Sequence, residues 1–414
     1  MTACRGGSVQ IYDQSASPSG RPETSALWNW NAFNERNMFE VPEFRPHMML
    51  HNFYEGYAAS KDGAVSQRTL DDAQERLRGL LEDCDNLRCV QWLVDMDSSW
   101  GGLAHEMLTY ITEECPSTVV VTIGNDWAYP LPDQGLDYMF AVDGATQDKA
   151  KQAARRQINM ASSLASLSEL SSVMIPVSLM TAAALQPYAL DVSEGCLPQS
   201  NVAAAAIEVA MSAYKETSYY VLAEGLVPSM KTLELAVAMP FTNDVRALLK
   251  PLQDASDGSY KDFLSQRSFL PSEDPKQKAR RLAEDARYER ESRWGVYRAH
   301  HRVLHCRGMF AEHSPPSSML LDRVNHDRAV VRWTPDVVLL PPSSFLAQAQ
   351  DFSMDAVSEL AQSTNVGLHL DTVGQQLQHV DRRVLHEFTR AGMASDAVGE
   401  LSAALRGASE AYEP

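Results

Sequence analysis

Between residues 69 and 124 the apolar positions change period three times. From Thr69 onward, Leu70, Ala73, Leu77, Leu80, Leu81 and Cys84 recur at helical spacing and make one apolar face. Asp71 and Asp72 fall in the first turn of that predicted helix, where the helix dipole favours carboxylates. Cys89 to Val94 reads as a strand, Leu103 to Glu114 as a helix with Leu103, Met107, Leu108 and Ile111 apolar, and Val119 to Ile123 as a second strand. Strand, helix and strand within about 35 residues make a βαβ unit, which requires a parallel pair joined by a right-handed crossover. In the first strand Cys89, Gln91 and Leu93 alternate with Val90, Trp92 and Val94. Both sets are mostly apolar, so both faces expect cover.

The alternation continues. Residues 147–171 read as helix, Val173 to Leu179 as strand, and Asn201 to Lys215 as an Ala-rich buried helix. Helices and strands thus alternate over 66–222, which predicts an α/β fold with a parallel sheet flanked by helices. Upstream, Val9 to Tyr12 is a short strand candidate, 13–25 is loop, and 27–60 is aromatic and Asn-rich with no clear period. Beyond residue 225 the pattern weakens. Residues 251–296 are dense in charge and poor in apolar residues, and read as a solvated helix or disordered insert, the most mobile internal segment. Val303 and Val330-Val331 suggest later strands, Pro341-Pro342 breaks the chain, and helices at roughly 372–391 and 395–412 close it. The expected organisation is a parallel-sheet half over 1–225 and an α+β half over 226–414.

The chain has 414 residues, 44% hydrophobic and 22% charged, enough for a sizeable core in one large domain or two. Its formal net charge of −18 repels phosphate backbones and anionic headgroups, which argues against nucleic acid as a partner. The cysteines, Cys4, Cys84, Cys89, Cys115, Cys196 and Cys306, are scattered without a CxxC pair and fit reduced cytosolic thiols. No apolar run approaches the ~20 residues of a membrane span. The expectation is a cytoplasmic protein with no integral membrane segment.

Candidate chemistry concentrates in Asp95-Met96-Asp97-Ser98-Ser99-Trp100-Gly101-Gly102, between a strand and a helix N-terminus. α/β proteins bind phosphate there, because free N–H groups and the helix dipole converge. The two aspartates argue the other way: a carboxylate repels phosphate unless a metal intervenes, and can itself accept the helix N–H groups. A self-capped tight turn is the favoured reading. His300, His301, His305 and Cys306 cluster, but no acidic third ligand follows at a familiar spacing, so a solvated or partly buried histidine group is preferred to a metal site. The serine run from Ser162 to Ser172 has no GxSxG elbow, and no GxxxxGK[ST] loop occurs. Neither acid–base pairs nor a nucleophile can be assembled.

Leu87 to Gly124, with Cys84 to Leu87 before it, resembles the tubulin segment of strand, glycine-rich phosphate loop, helix and strand, and Phe53-Tyr54-Glu55-Gly56 resembles tubulin's Tyr-Thr-Glu-Gly stretch. Within that superfamily the chain is most similar to the Misato family. Ser25 to Phe39 resembles its Trp-containing region, Ser162 to Leu179 its serine-rich helix entering a strand, and Val380 to Leu401 its closing helical segment, with Arg390-Ala391-Gly392-Met393 at the turn. The resemblance implies a tubulin/FtsZ-like fold and a role in mitochondrial organisation, distribution and inheritance.

The departures from tubulin shape the functional expectation. Over the loop Gly-Gly-Gly-Thr-Gly-Ser-Gly this chain places Asp97 to Leu103, and one glycine coincides. Asp97, Ser98, Ser99, Gly101 and Gly102 are therefore the residues of a degenerate, non-functional phosphate loop. Val9 to Asp13 aligns with tubulin's third strand, so the first strand and its Gly-Gln-x-Gly loop are expected to be missing, leaving Cys89 to Val94 without its neighbour and the chain prone to association. The expectation is a non-enzymatic scaffold without a cofactor, acting from the cytoplasm or as a peripheral protein of mitochondria through protein partners, tubulin or mitochondrial surface proteins among them. The rivals are a diverged GTP-binding protein, with Asp95, Asp97, Gly101 and Gly102 holding a metal–nucleotide complex, and a tubulin assembly or chaperone-associated factor.

Overall fold

Strand and helix start where their capping and burial allow it. In the computed structural model, which describes residues 39, 41–44, 51–57, 64–126, 149–178, 197–212, 214, 222–223, 225–238, 268–270, 299–307, 329–334, 356–380 and 382–413, a 3-10 turn at Pro42–Phe44 precedes the short helix α1 (Phe53–Gly56). Next comes α2 (Gln67–Glu82). It begins two residues earlier than the periodicity predicts, because Ser66 is its N-cap and Ser66 Oγ accepts from the Thr69 N–H at 3.2 Å. Asp71 and Asp72 are displaced from the first turn as a result.

β1 (Cys89–Asp95), α3 (Trp100–Glu114) and β2 (Val119–Asp126) form the expected βαβ unit, and α4 (Lys149–Leu170) leads to β3 (Val173–Ser178). All three strands are parallel in the order β1-β2-β3. Their two faces bury separate apolar sets. Val94, Val120 and Met174 pack toward α2, α3 and α4, whereas Val119, Val121, Ile123, Val173, Ile175 and Val177 pack toward α5 (Leu197–Ser212) and Tyr214. Such two-sided burial is the signature of a sheet with helices on both faces.

The chain beyond residue 225 forms a mixed sheet. β4 (Glu234–Ala238), β5 (Ala299–Arg307), β6 (Ala329–Thr334) and β7 (Ala356–Ser363) run in the order β4-β7-β5-β6, antiparallel except for β5 with β6. The segment before β4 joins the first sheet: the Met174 N–H donates to Lys231 O at 2.9 Å, and the Leu233 N–H to Met174 O at 2.8 Å. Leu222, Leu233, Val237 and Leu360 lie in the same cluster as Val121 and Ile175, so one core runs through the expected boundary near residue 225.

Three helices close the chain where the sequence pattern predicts two: α6 (Thr364–Leu377), α7 (Arg382–Arg390) and α8 (Ala397–Glu410). The apolar period runs on across the break because Leu377, Val380 and Val384 are all buried, which masks the turn between α6 and α7. Gly392 ends α7 with φ 102°, and the Met393 N–H donates to Phe388 O at 3.0 Å, so the turn is a Schellman motif that needs glycine. Tyr412 is buried, donates from its hydroxyl to Thr232 O at 2.8 Å and accepts from the Thr232 N–H at 3.0 Å, tying the last turn to the inter-sheet segment.

The charged stretch 251–296 lies outside the described residues except for Ser268 to Leu270. Those three depart from a solvated insert. Phe269 is 1% exposed, its N–H donates to Leu235 O at 2.8 Å, and its carbonyl accepts from the Ser178 N–H at 2.7 Å. A three-residue buried island is invisible in a composition averaged over a long charged run. The strand candidate at Val9 to Tyr12, and with it the expected absence of a first strand, also lies outside the described residues. Among the described residues no helix is long and apolar enough to cross a membrane.

Candidate functional site

β1 delivers the turn to the carboxyl ends of the parallel strands, where α/β proteins place ligands. At its end the Met96 N–H donates to Asn125 O at 2.9 Å, joining the turn to β2. The chain then enters α3 with its own acceptors. Ser98 Oγ accepts from the Trp100 N–H (3.3 Å) and Ser98 O from the Gly101 N–H (3.3 Å). Ser99 O accepts from the Gly102 and Leu103 N–H groups (3.1 and 3.2 Å). The first four N–H groups of the helix, those a bound phosphate would need, all have acceptors within the turn.

From the opposite side, α4 fills the turn with side chains spaced along one helix face. Ser163 Oγ donates to Met96 O at 2.8 Å. Asn159, 1% exposed, donates through Nδ2 to Asp97 O (2.8 Å) and His51 O (2.6 Å), and accepts through Oδ1 from the Phe53 N–H (2.8 Å). Arg156 lies between two carboxylates, 3.5 Å from Asp97 Oδ2 and in contact with the buried Asp126 through both Nε (3.0 Å to Oδ1) and an η nitrogen. The guanidinium thus offsets part of the negative charge at the carboxyl ends of β1 and β2.

α1 covers the start of α3. Its N-terminus is a capping box, in which Asn52 Oδ1 accepts from the Glu55 N–H (3.1 Å) and Glu55 Oε2 from the Asn52 N–H (3.0 Å), with the His51 N–H adding a third bond (2.7 Å). The contact with α3 is backbone on backbone. A Cβ on Gly102 would lie 1.9 Å from Phe53 O, one on Gly56 1.9 Å from Ser99 O, and one on Gly101 2.1 Å from Ser163 Oγ. The glycines therefore serve a helix-to-helix approach. A phosphate does not fit this turn: the space beside its glycines is filled by Phe53 and Ser163, its helix N–H groups are bonded, and Asp97 presents a carboxylate.

Residues 33–213 match the family model of the tubulin domain. Over 111 residues the chain is 31% identical to Protein DML1 of Scheffersomyces stipitis, covering 25% of this chain and 22% of that protein. A second Protein DML1, from Phaeosphaeria nodorum, is 28% identical over 112 residues, 27% of this chain and 19% of that protein. Both are relatives of the Misato type. The chain is thus similar to the tubulin domain over residues 33–213 and, over a shorter stretch, to these Misato-like proteins. The matched segment spans about a fifth of the length of those two relatives.

In this tubulin-like domain the expected site residues lie together but in unequal roles. Ser98 and Ser99 supply the acceptors at the helix start, Asp97 pairs with Arg156, and Gly101 and Gly102 admit Ser163 and α1. The N-cap residue Ser99 makes no side-chain cap bond of its own, and the Ser98 hydroxyl, one residue earlier, accepts from the Trp100 N–H. The sequence reading gave no role to Arg156, Asn159 or Asp126. The signal for two of them was the i, i+3, i+7 spacing of Arg156, Asn159 and Ser163, polar positions inside an otherwise buried helix face. His301 is buried in β5, and His300 Nε2 lies 3.4 Å from Tyr412 O. Among the described residues no group of three or more His, Cys, Asp or Glu has the geometry for a metal.

Burial governs titration around α1. It lowers the pKa of His105, whose ring packs edge-on against Tyr57 with centroids 4.9 Å apart, while the Glu169 charge acts weakly in the opposite direction. Burial likewise lowers His51, helped by Arg155 and opposed by Glu387. It raises the Glu55 carboxyl above the ordinary range, against the lowering effect of its two backbone N–H bonds. Arg155 forms a two-point pair with Glu387 of α7, at 2.6 and 2.9 Å, which holds the Glu387 carboxyl below its usual value.

Two outcomes are expected. Gly102→Ala forces α1 away from α3 and should destabilise the protein by about 1–3 kcal/mol in chemical denaturation. The control Gly79→Ala, at a helical position with nothing within 4 Å, should stabilise it by about 0.5–1 kcal/mol. The second concerns pH. The unfolded chain takes up protons on its histidines near pH 6.5, before the folded protein does so on His51 and His105. The stability these groups contribute is therefore complete above about pH 6.5 and is lost as pH falls toward their lowered folded values. The denaturation midpoint should be lower at about pH 5.5 than at about pH 7.5, and His105→Phe should narrow that gap.

Proposed function

We propose that this chain is a non-catalytic, tubulin-derived scaffold for protein partners, and that it serves the organisation, distribution and inheritance of mitochondria from the cytoplasmic side. The mitochondrial part of this reading is supported by the resemblance to the Misato family. The non-catalytic part rests chiefly on one observation: Asn159, Ser163 and Arg156 of α4 saturate the phosphate turn from within the protein. A site built to bind and hydrolyse GTP keeps such groups available for the nucleotide and its metal. Tubulin itself, or proteins of the mitochondrial surface, are the partners that the ancestry suggests.

Calorimetric titration with GTP and magnesium tests the non-catalytic reading. No saturable heat is expected, and a micromolar dissociation constant would overturn it in favour of a diverged GTP-binding protein. Isolated mitochondria test the location. The protein should be present on them and should be released by carbonate or high salt, as a peripheral association requires; retention in the membrane pellet would contradict that attachment.

A further inference from the structure

The three large hydrophobic side chains that stand exposed among the described residues, Phe39 (36%), Leu93 (56%) and Trp100 (42%), line one groove. Leu77 of α2, Trp92 of β1 and Met107 of α3 continue its wall. Its volume is 340 Å³, at the small end of the range for ligand sites, about 300–1,000 Å³. Single exposed apolar residues are ordinary on protein surfaces, but their convergence on one concavity marks an interaction site. A volume of this size suits one or two bulky side chains, the scale of an interface anchor.

Charge decides what the anchor belongs to. The two flanking helices carry seven carboxylates against three arginines, and α3 contains neither lysine nor arginine. Two of the arginines are already engaged on α2: Arg78 by Glu75 and Glu82, and Arg68 by Asp72 at 3.9 Å. Glu113 and Glu114 on α3 are exposed. Of the lining residues Arg76 and Asp95 are charged and offset each other, so the negative surplus lies along the flanking helices, where it repels anionic lipid headgroups and nucleotides and favours a cationic chain.

We propose that this groove, between α2 and α3 beside the carboxyl end of β1, docks a basic amphipathic segment of a partner protein. A bulky apolar side chain of the segment enters against Leu93 and Trp100, and its lysines or arginines lie along the acidic helices. The proposal rests on the protein-binding reading above and assigns the surface that performs it.

Fluorescence anisotropy on the full chain tests it with two labelled helical peptides of equal hydrophobicity. One is a Leu/Lys amphipathic helix with a single Trp; the other has every Lys replaced by Glu. The Lys peptide should bind saturably, at least tenfold tighter than the Glu peptide, and weaken as salt is raised. Leu93→Asp and Trp100→Ala should each weaken it about tenfold, and Glu113→Lys with Glu114→Lys several-fold. The thermal midpoint of Leu93→Asp should stay at the wild-type value, because that side chain is already exposed. Equal binding of both peptides, or wild-type binding by a folded Leu93→Asp protein, overturns the proposal. Binding of phosphatidylserine vesicles through Leu93, or dimerisation that Leu93→Asp abolishes while peptide binding is absent, overturns it in favour of a lipid surface or a second copy. Failure of the peptide with a silent GTP titration removes the groove alone, whereas GTP binding removes the non-catalytic reading and leaves the peptide result standing.

Discussion

The side-chain amide of Asn159 is the constraint from which the rest of this domain is arranged. Buried polar groups must be satisfied, and Asn159 has both its oxygen and its nitrogen committed: to Phe53 at the start of α1, to His51 before it, and to Asp97 in the turn after β1. One residue of α4 thereby ties together two separate chain segments, residues 51–53 and the turn at Asp97. Once α1 is held there, its backbone meets that of α3 closely enough that Gly56 and Gly102 cannot carry side chains, while Gly101 leaves room for Ser163 of α4. A phosphate loop and a helix-packing site ask for glycine for the same reason, close approach to the backbone. In this protein the approaching group is protein.

Electrostatics follow the same logic. In a nucleotide-binding α/β protein the carboxyl ends of the strands and the helix dipole are balanced by phosphate. Here Asp97 and Asp126 bring negative charge to those strand ends and Arg156 sits between them. Removing one partner from such a pair leaves an uncompensated charge, which is costly when that partner is as buried as Asp126. In this structure Arg156 meets both carboxylates from within the protein, and the apolar groove beside the turn opens to solvent between two helices with a surplus of carboxylates.

Much of the fold was legible because period reports burial. The apolar strands Val119 to Ile123 and Val173 to Leu179 and the helical spacing after Leu103 predicted the βαβ core; the structure carries the first strand on to Asp126, starts the helix at Trp100 and ends the other strand at Ser178. Where the period was continuous through a turn, as at Val380, the break between α6 and α7 was hidden. β4 and β7 went unread because both carry buried polar residues, Glu234 in the first and Glu359 and Gln362 in the second. Glu234 is held there by Ser363 and Asn365, contacts more than a hundred positions away that no local pattern encodes. The same holds for the site. Asp97 to Gly102 could be located from the strand–turn–helix order, but their occupants, Arg156 and Asn159, sit about sixty residues downstream, in an alignment that only the packed α4 creates.

In this structure the N–H groups at the start of α3 are all bonded within the turn at 96–103. Hydrogen exchange of its amides tests this most directly. The Trp100 to Leu103 amides should exchange slowly in the free protein, should be unaffected by magnesium and GTP, and should exchange faster in Asn159→Ala, where α1 and the turn lose their shared partner. Rapid exchange in the free protein that slows when nucleotide is added would contradict the account, because it would show a turn left open for a phosphate.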